Sequence, residues 1–224
     1  MDGEDGESTG TRRRRSKERG PATPRLEDVA RRARVSTATV SRVLNRPSAV
    51  KPELRESVQR AVEALGYVPH GPARALASRR SNTIGAVIPT VDNAIFASSV
   101  QALQSRLYDA GLTLLLASSD YDEERERRQV QSLVERGIDG LILVGERRDA
   151  AIYDLLELKR IPYVNTWIYD DASPHACIGF DNRRGAERIA GYVLDIGHRE
   201  IAMVAGITQG NDRAAERVEG VHAA

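Results

Sequence analysis

The spacing of apolar residues divides the 224-residue chain into three stretches. Residues 1–24 carry almost none: acidic positions come first, then Arg12-Arg13-Arg14-Arg15, then Gly20-Pro21 and Pro24. Such a segment has nothing to bury against the entropy of ordering, so it is predicted to be a disordered arm. Its basic cluster is either a phosphate contact or a solvated tail. From Arg25 onward, Leu26, Val29, Ala30 and Ala33 fall at helical spacing. A short break follows at Arg34-Val35. Ser36 then suits the N-cap of a second helix, which carries Val40, Val43 and Leu44. Asn45-Arg46-Pro47-Ser48 reads as a loop. Pro52 opens a third helix whose apolar face is Leu54, Val58, Ala61, Val62 and Leu65, and Gly66 ends it. This is the pattern of a small helical module.

Residues 70–78 are an Ala/Arg/Leu segment of weak helical character, with Gly71-Pro72 at its front. After Arg79-Arg80-Ser81 the period changes. Short apolar runs at 84–88, 112–117, 141–144, 162–165, 177–179 and 201–205 read as buried strands. Helical patterns lie at about 94–110, 122–136, 149–159 and 182–196. Asp122, Glu123 and Glu124 suit the positive end of one helix, and Gly137 stops it. Strands that alternate with helices and are apolar throughout predict a parallel sheet covered by helices.

Composition adds to this picture. Apolar residues are 41% and charged residues 29%, enough for a packed core. The net charge of +1 hides an asymmetry. Residues 1–80 have a surplus of eight positive charges and the remainder a deficit of seven, so the front of the chain is suited to a polyanion. A single cysteine, Cys177, excludes a disulfide scaffold and a thiolate cage. His70, His175, His198 and His222 form no i,i+4 pair for zinc. No metal, cofactor or catalytic residue is therefore expected. No apolar run reaches the length of a membrane span, and the acidic N-terminus lacks a secretory core. A soluble cytoplasmic protein, not associated with a membrane, is expected.

The strongest local signal is the spacing of Ala30, Arg34 and Val40. It is that of a helix-turn-helix: a small alanine lets two helices approach, and the valine fills the gap between them. The second helix would expose Thr37, Ala38, Ser41 and Arg42. Short side chains permit close approach to a major groove, and an arginine can reach guanine O6 and N7 with two donors. Ser36, Thr39, Ser41 and Asn45 can bond phosphate oxygens. An ordinary three-helix bundle with a polar face fits the same spacing; the positive surplus on this segment favours DNA.

Asp28-Val29-Ala30 and Val35-Ser36-Thr37-Ala38-Thr39-Val40-Ser41-Arg42-Val43-Leu44-Asn45 resemble the DNA-binding signature of the lactose-repressor (LacI) family of bacterial transcription regulators. The resemblance continues through Leu65-Gly66-Tyr67-Val68-Pro69, Ala73-Arg74-Ala75-Leu76, Ile84-Gly85 and Asn93 to Phe96. It reappears at Asp181-Asn182, Gly197-His198-Arg199-Glu200-Ile201 and Arg217 to Gly220, so it covers about residues 25–224.

The resemblance implies a multidomain fold. An all-α helix-turn-helix headpiece (25–69) is followed by a hinge helix and linker (70–81). An α/β parallel-sheet sensor like a periplasmic binding protein comes next, with one lobe at 82–181 and the start of a second, incomplete lobe at 182–224. It assigns base reading to Thr37, Ala38 and Arg42, and a hinge helix to residues 73–78, beginning at Ala73. Leu76 becomes the wedge that enters the minor groove. It places a sugar-like effector between the lobes, near Asn93, Phe96, Trp167, Asp181 and Arg217, beyond the carboxyl ends of the strands. It implies a homodimer on a palindromic operator. From the residues alone, Trp167 also fits a core or interface position, Asp181 a cap for the helix that begins at Asn182, and Arg217 a surface position.

Three departures stand out. Arg34 holds a turn position where the family commonly has glycine, and His70 replaces the usual asparagine ahead of Gly71-Pro72. The third is that family members run on for roughly another hundred residues. The sequence therefore reads as a fragment or a truncated product, with the alternative of a headpiece that binds DNA without effector response.

Rival classes fare worse. No G-x-G-x-x-G follows the first strand and no phosphate-loop motif occurs. Glu123 and Glu124 are helix neighbours that point apart. His175 and Cys177 are two apart near a strand, a spacing better read as coincidence than as a nucleophile and base. A transport-type binding protein would lack residues 25–80 and would need a signal peptide.

Overall fold

The computed structural model describes residues 23–69 and 80–224, which fall into two compact units. Most of the arm, His70 and the hinge residues Ala73 to Ser78, Leu76 included, lie outside the described residues.

The first unit is three helices, α1 (Leu26–Ala33), α2 (Thr37–Asn45) and α3 (Pro52–Leu65), with a 3-10 turn at Pro47–Ala49. Each starts where local chemistry satisfies the free N–H groups of a first turn. The Asp28 carboxylate accepts from Arg25 N–H at 2.9 Å. Ser36 Oγ accepts from Thr39 N–H at 3.1 Å, and Pro52 occupies the first turn of α3. The core is Val29, Ala30, Val40, Val43, Val58 and Ala61, with Val29, Val40 and Val58 fully buried. Burying one such valine stabilises by roughly 1.5–3 kcal/mol.

The turn between α1 and α2 is closed by a hydrogen bond from Val35 N–H to the Ala30 carbonyl at 3.0 Å. Closing it puts Arg34 in the left-handed region, at φ 56° and ψ 42°. An L residue with a Cβ there is about 1 kcal/mol less favourable than glycine. Arg34→Gly is therefore expected to raise the thermal stability of this unit, by at most about 1 kcal/mol once the extra freedom of the unfolded chain is subtracted. A lowered melting temperature would mean that the Arg34 side chain contributes more than its backbone costs.

The second unit is a five-stranded parallel sheet in the order β2-β1-β3-β4-β5. Its strands are β1 (Thr83–Ile88), β2 (Thr113–Ser118), β3 (Gly140–Val144), β4 (Tyr163–Thr166) and β5 (Cys177–Ile178). Between and after them run α4 (Ala94–Asp109), α5 (Glu123–Glu135), α6 (Ala150–Leu158), α7 (Asn182–Asp195) and α8 (Asp212–Ala223). The main core joins Val87, Leu141 and Leu143 of the strands to Val130 and Leu133 of α5, Ile152 and Leu156 of α6, and Ile138. A smaller cluster of Ile88, Phe96 and Val144 lies at the carboxyl ends of β1 and β3. Parallel strands buried this way are apolar along their length, which is why their runs stand out in the sequence.

One expected strand does not form. Residues 201–207 have no regular structure, and Ile201, Met203, Val204 and Ile207 are exposed. A strand exists through its ladder, and no neighbour pairs with this segment among the described residues. Instead α7 packs on α8. They cross closely at Gly220, where a Cβ would overlap the Arg183 carbonyl oxygen, so no larger residue fits without moving the helices apart.

Candidate nucleic-acid interface and effector cleft

On α2 the buried residues Val40 and Val43 fix which side faces outward. Ser36, Thr37, Ala38 and Arg42 are exposed, while Thr39, Ser41 and Asn45 are half-buried. Ser36 Oγ and Thr39 Oγ1 are 2.9 Å apart, and Asn45 Nδ2 donates to Ser41 Oγ at 3.2 Å. These pairs hold the polar side chains in place without using all their hydrogen-bonding capacity. Arg42 makes no ion pair or side-chain hydrogen bond among the described residues, so its five donors remain free for a ligand. The seven expected DNA-facing residues of this unit thus lie on or beside one helix. Ala73 and Leu76, the other two, are outside the described residues.

The second candidate site is at the carboxyl ends of the strands, where the order reverses from β1 to β3. Phe96, at the start of α4, meets Trp167 just after β4 edge to face, with ring centroids 5.4 Å apart. Trp167 has φ 68°, and its N–H donates to the Ile178 carbonyl at 2.9 Å, so the backbone itself turns the indole out of the strand. Arg217 on α8 donates to Asn182 Oδ1 at 2.6 Å. Asn182 Nδ2 in turn donates to the carbonyls of Trp167 at 2.9 Å and Phe180 at 3.3 Å. Phe96, Trp167 and Arg217 are therefore linked, with Asn182 as the connection.

Asn93 and Asp181 sit elsewhere in this scheme. Asn93 Oδ1 accepts from Ile95 N–H at 2.9 Å and caps α4. Asp181 Oδ1 accepts from Arg184 N–H at 2.8 Å and caps α7. Both carboxamide and carboxylate satisfy first-turn N–H groups, the role that short polar residues take ahead of a helix.

Sequence reading missed three residues. Asn182 is completely buried although its type is usually exposed. As the first residue of a helix it attracts attention only through its neighbour, the cap. Asp212 and Arg213 are also buried, and they close the carboxyl edge of β3. The Asp212 carboxylate accepts the backbone N–H groups of Glu146 at 2.6 Å and Arg147 at 2.9 Å. Burial pushes the Arg213 guanidinium down from its ordinary value, and the adjacent Asp212 opposes this. Gly145, at φ 81°, permits the close approach: a Cβ there would fall within 2.5 Å of the Asp212 carboxylate. Charged residues in a helical pattern give no sign of such burial in the sequence.

A second buried ion pair lies at the same carboxyl end of β3. Arg148, on the turn before α6, has 1% of its side chain exposed. It bonds the Glu126 carboxylate and the Gly145 carbonyl, and its Nε donates to Tyr153 Oη at 3.1 Å. Tyr153 also donates to the Glu146 carbonyl at 2.8 Å and accepts from Asn165 Nδ2 at 3.0 Å. Burial, opposed by Arg148, holds the Glu126 carboxyl above the ordinary glutamate range. Among the described residues no cluster of three or more His, Cys, Asp or Glu could hold a metal ion, and no helix is long and apolar enough to cross a membrane.

Known proteins share both units. Residues 25–70 match the family of bacterial regulatory proteins, lacI family, and residues 81–224 match periplasmic binding proteins and sugar binding domain of LacI family. Catabolite control protein A of Staphylococcus epidermidis is 32% identical over 82% of the chain and 56% of its own length. The HTH-type transcriptional regulator GalS of Salmonella typhimurium is 34% identical over 88% of the chain and 58% of its own length. Among solved structures, a LacI-family transcriptional regulator from Silicibacter pomeroyi is 31% identical with a TM-score of 0.77, covering 88% of this chain and 60% of that one. The lac repressor dimer bound to operator and the anti-inducer ONPF is 28% identical with a TM-score of 0.75, covering 90% and 61%. The chain thus spans less than two thirds of the length of these relatives. The two family matches occur in order on either side of the linker, over a helical unit and a parallel sheet built as that family builds them, and the chain belongs to the lacI family of bacterial regulatory proteins.

Proposed function

We propose that the protein is a sequence-specific DNA-binding transcriptional regulator, a repressor whose grip on a palindromic operator is controlled by a small sugar-like effector. The observation that carries this reading is the outward face of α2. A rigid apolar core holds it, and it presents Ser36, Thr37, Ala38 and an Arg42 with all its donors unused. Relatives described as transcriptional regulators, one of them bound to its operator, support it. Two chains would set two such helices into successive major grooves about 34 Å apart, and phosphate contacts would make binding fall steeply with salt. The aromatic pair Phe96–Trp167 and the Arg217–Asn182 link are the parts of the cleft suited to a sugar: a flat apolar face and a fixed cation beside it. Effector binding then shifts the population between operator-competent and incompetent states. The protein catalyses no turnover in this reading and acts in the cytoplasm, at the nucleoid, as a homodimer.

The reading is tested by Leu76→Ala, measured on an operator-like duplex and on a random one. The expected result is a larger loss on the operator, because an apolar wedge contributes only where the duplex is kinked to admit it. Equal losses on both would remove the wedge from the mechanism.

A further inference from the structure

The effector cleft lies at the carboxyl ends of the strands, but the linker joins the sheet at the opposite end, and one side chain controls that junction. Asp139 is on the turn between α5 and β3. Its Oδ1 accepts from Ser81 N–H at 3.0 Å and its Oδ2 from Asn82 N–H at 2.8 Å. Its own N–H donates to the Thr83 carbonyl at 2.8 Å. One residue therefore holds three consecutive residues that lie 56 to 58 positions away in the chain.

The sheet itself does not require this arrangement. The ladder of β1 begins at Thr83, which is paired with Thr113, so Ser81 and Asn82 precede it. Asn82 is in the left-handed region, at φ 53°, and its carbonyl accepts from Thr113 N–H at 2.8 Å. Without the Asp139 carboxylate both N–H groups would lose their acceptors, and only the Ser81 and Asn82 carbonyls would stay bonded, to Thr83 Oγ1 and Thr113 N–H. With it, the end of the linker is fixed by two charge-assisted hydrogen bonds.

We propose that Asp139 is a positioning residue for operator recognition: it anchors the sheet end of the linker so that the short segment before it can order on DNA. The proposal rests on the regulator reading above. A helix of two turns is marginal because nucleation is costly, and every additional free residue adds backbone entropy that ordering must remove. Releasing residues 81 and 82 should therefore weaken the DNA complex that needs an ordered linker and leave alone the one that does not.

The test uses the full chain as wild type, Asp139→Ala and Asp139→Asn. The probes are a duplex that the wild type selects from a random library and a scrambled duplex of the same length. Asp139→Ala is expected to lose about tenfold on the selected duplex and to stay within about twofold on the scrambled one. Amide exchange at Ser81 and Asn82 should quicken while Leu143, in the core of β3, keeps its protection. Asp139→Asn retains one carbonyl acceptor and should recover part of the loss. Unchanged affinity for the selected duplex overturns the proposal. Equal loss on both duplexes also overturns it, as does a loss accompanied by weakened protection at Leu143 that asparagine does not repair. A wild type that fails to distinguish the two duplexes overturns the regulator reading first, before any variant is compared.

Discussion

Arg148→Ala is expected to lower the stability of the sheet unit by about 3–5 kcal/mol, the usual effect of breaking a buried ion pair by removing one partner. The guanidinium is enclosed, with 1% of its side chain exposed. It satisfies the Glu126 carboxylate, the carbonyls of Val144 and Gly145, and Tyr153 Oη. Removing it leaves a buried carboxylate and a buried carbonyl without donors, and it removes the support of the turn against which Asp212 is docked. Urea unfolding of the full chain measures the loss; a change below about 1 kcal/mol would mean that water reaches the pair and screens it. Replacing both partners by apolar residues of similar volume, Arg148→Met with Glu126→Leu, should restore most of the stability, because the cost lies in the unpaired charge.

The same pair has a pH signature of definite sign. The folded state holds the Glu126 proton more tightly than the unfolded chain, whose glutamate has the ordinary value of 4.5. The stabilisation from this group is complete below 4.5 and is lost as pH rises through the higher folded value. Glu126→Gln should flatten that part of the stability profile.

Arg42→Ala is expected to relax base preference at one position of each half-site. The discrimination lost should be about 1–3 kcal/mol, the value of one bidentate arginine–guanine contact. The side chain is exposed on a helix whose other side is locked by Val40 and Val43, so alanine should leave the fold intact. Binding to a panel of duplexes that differ at single base pairs measures the effect. A uniform loss over every position would assign Arg42 to phosphate contact instead.

The helical unit was legible almost throughout. Ser36 as a cap, Pro52 at the first turn and Gly66 at the end are local signals, and the structure uses each in the expected way. The central strands β1 and β3 were legible for a related reason: a parallel strand buried on both faces must be continuously apolar, whereas the partly exposed β2, β4 and β5 were legible from their apolar residues between helical stretches. The segment 201–205 carries the same pattern and forms no strand, because an apolar run specifies burial and only a partner specifies a ladder. The site was less legible than the fold. Trp167 and Phe96 meet edge to face, a contact that their separate positions after β4 and β1 did not specify. The choice between Asp181 and Asn182, adjacent polar residues at a helix start, depends on which one points inward, and only packing settles it. Asp212 is buried because its carboxylate satisfies backbone N–H groups of a turn 65 and 66 residues earlier, with Arg213 paired to it, a relation that no local pattern records.

DNA reading by α2 is tested most directly by the sequences that the purified protein retains from a pool of random duplexes. Enrichment of one near-palindromic sequence whose two halves are about one helical turn apart is expected, with the preference at one symmetric position lost in Arg42→Ala. Recovery of sequences indistinguishable from the starting pool, bound as tightly by the variant as by the wild type, would contradict it.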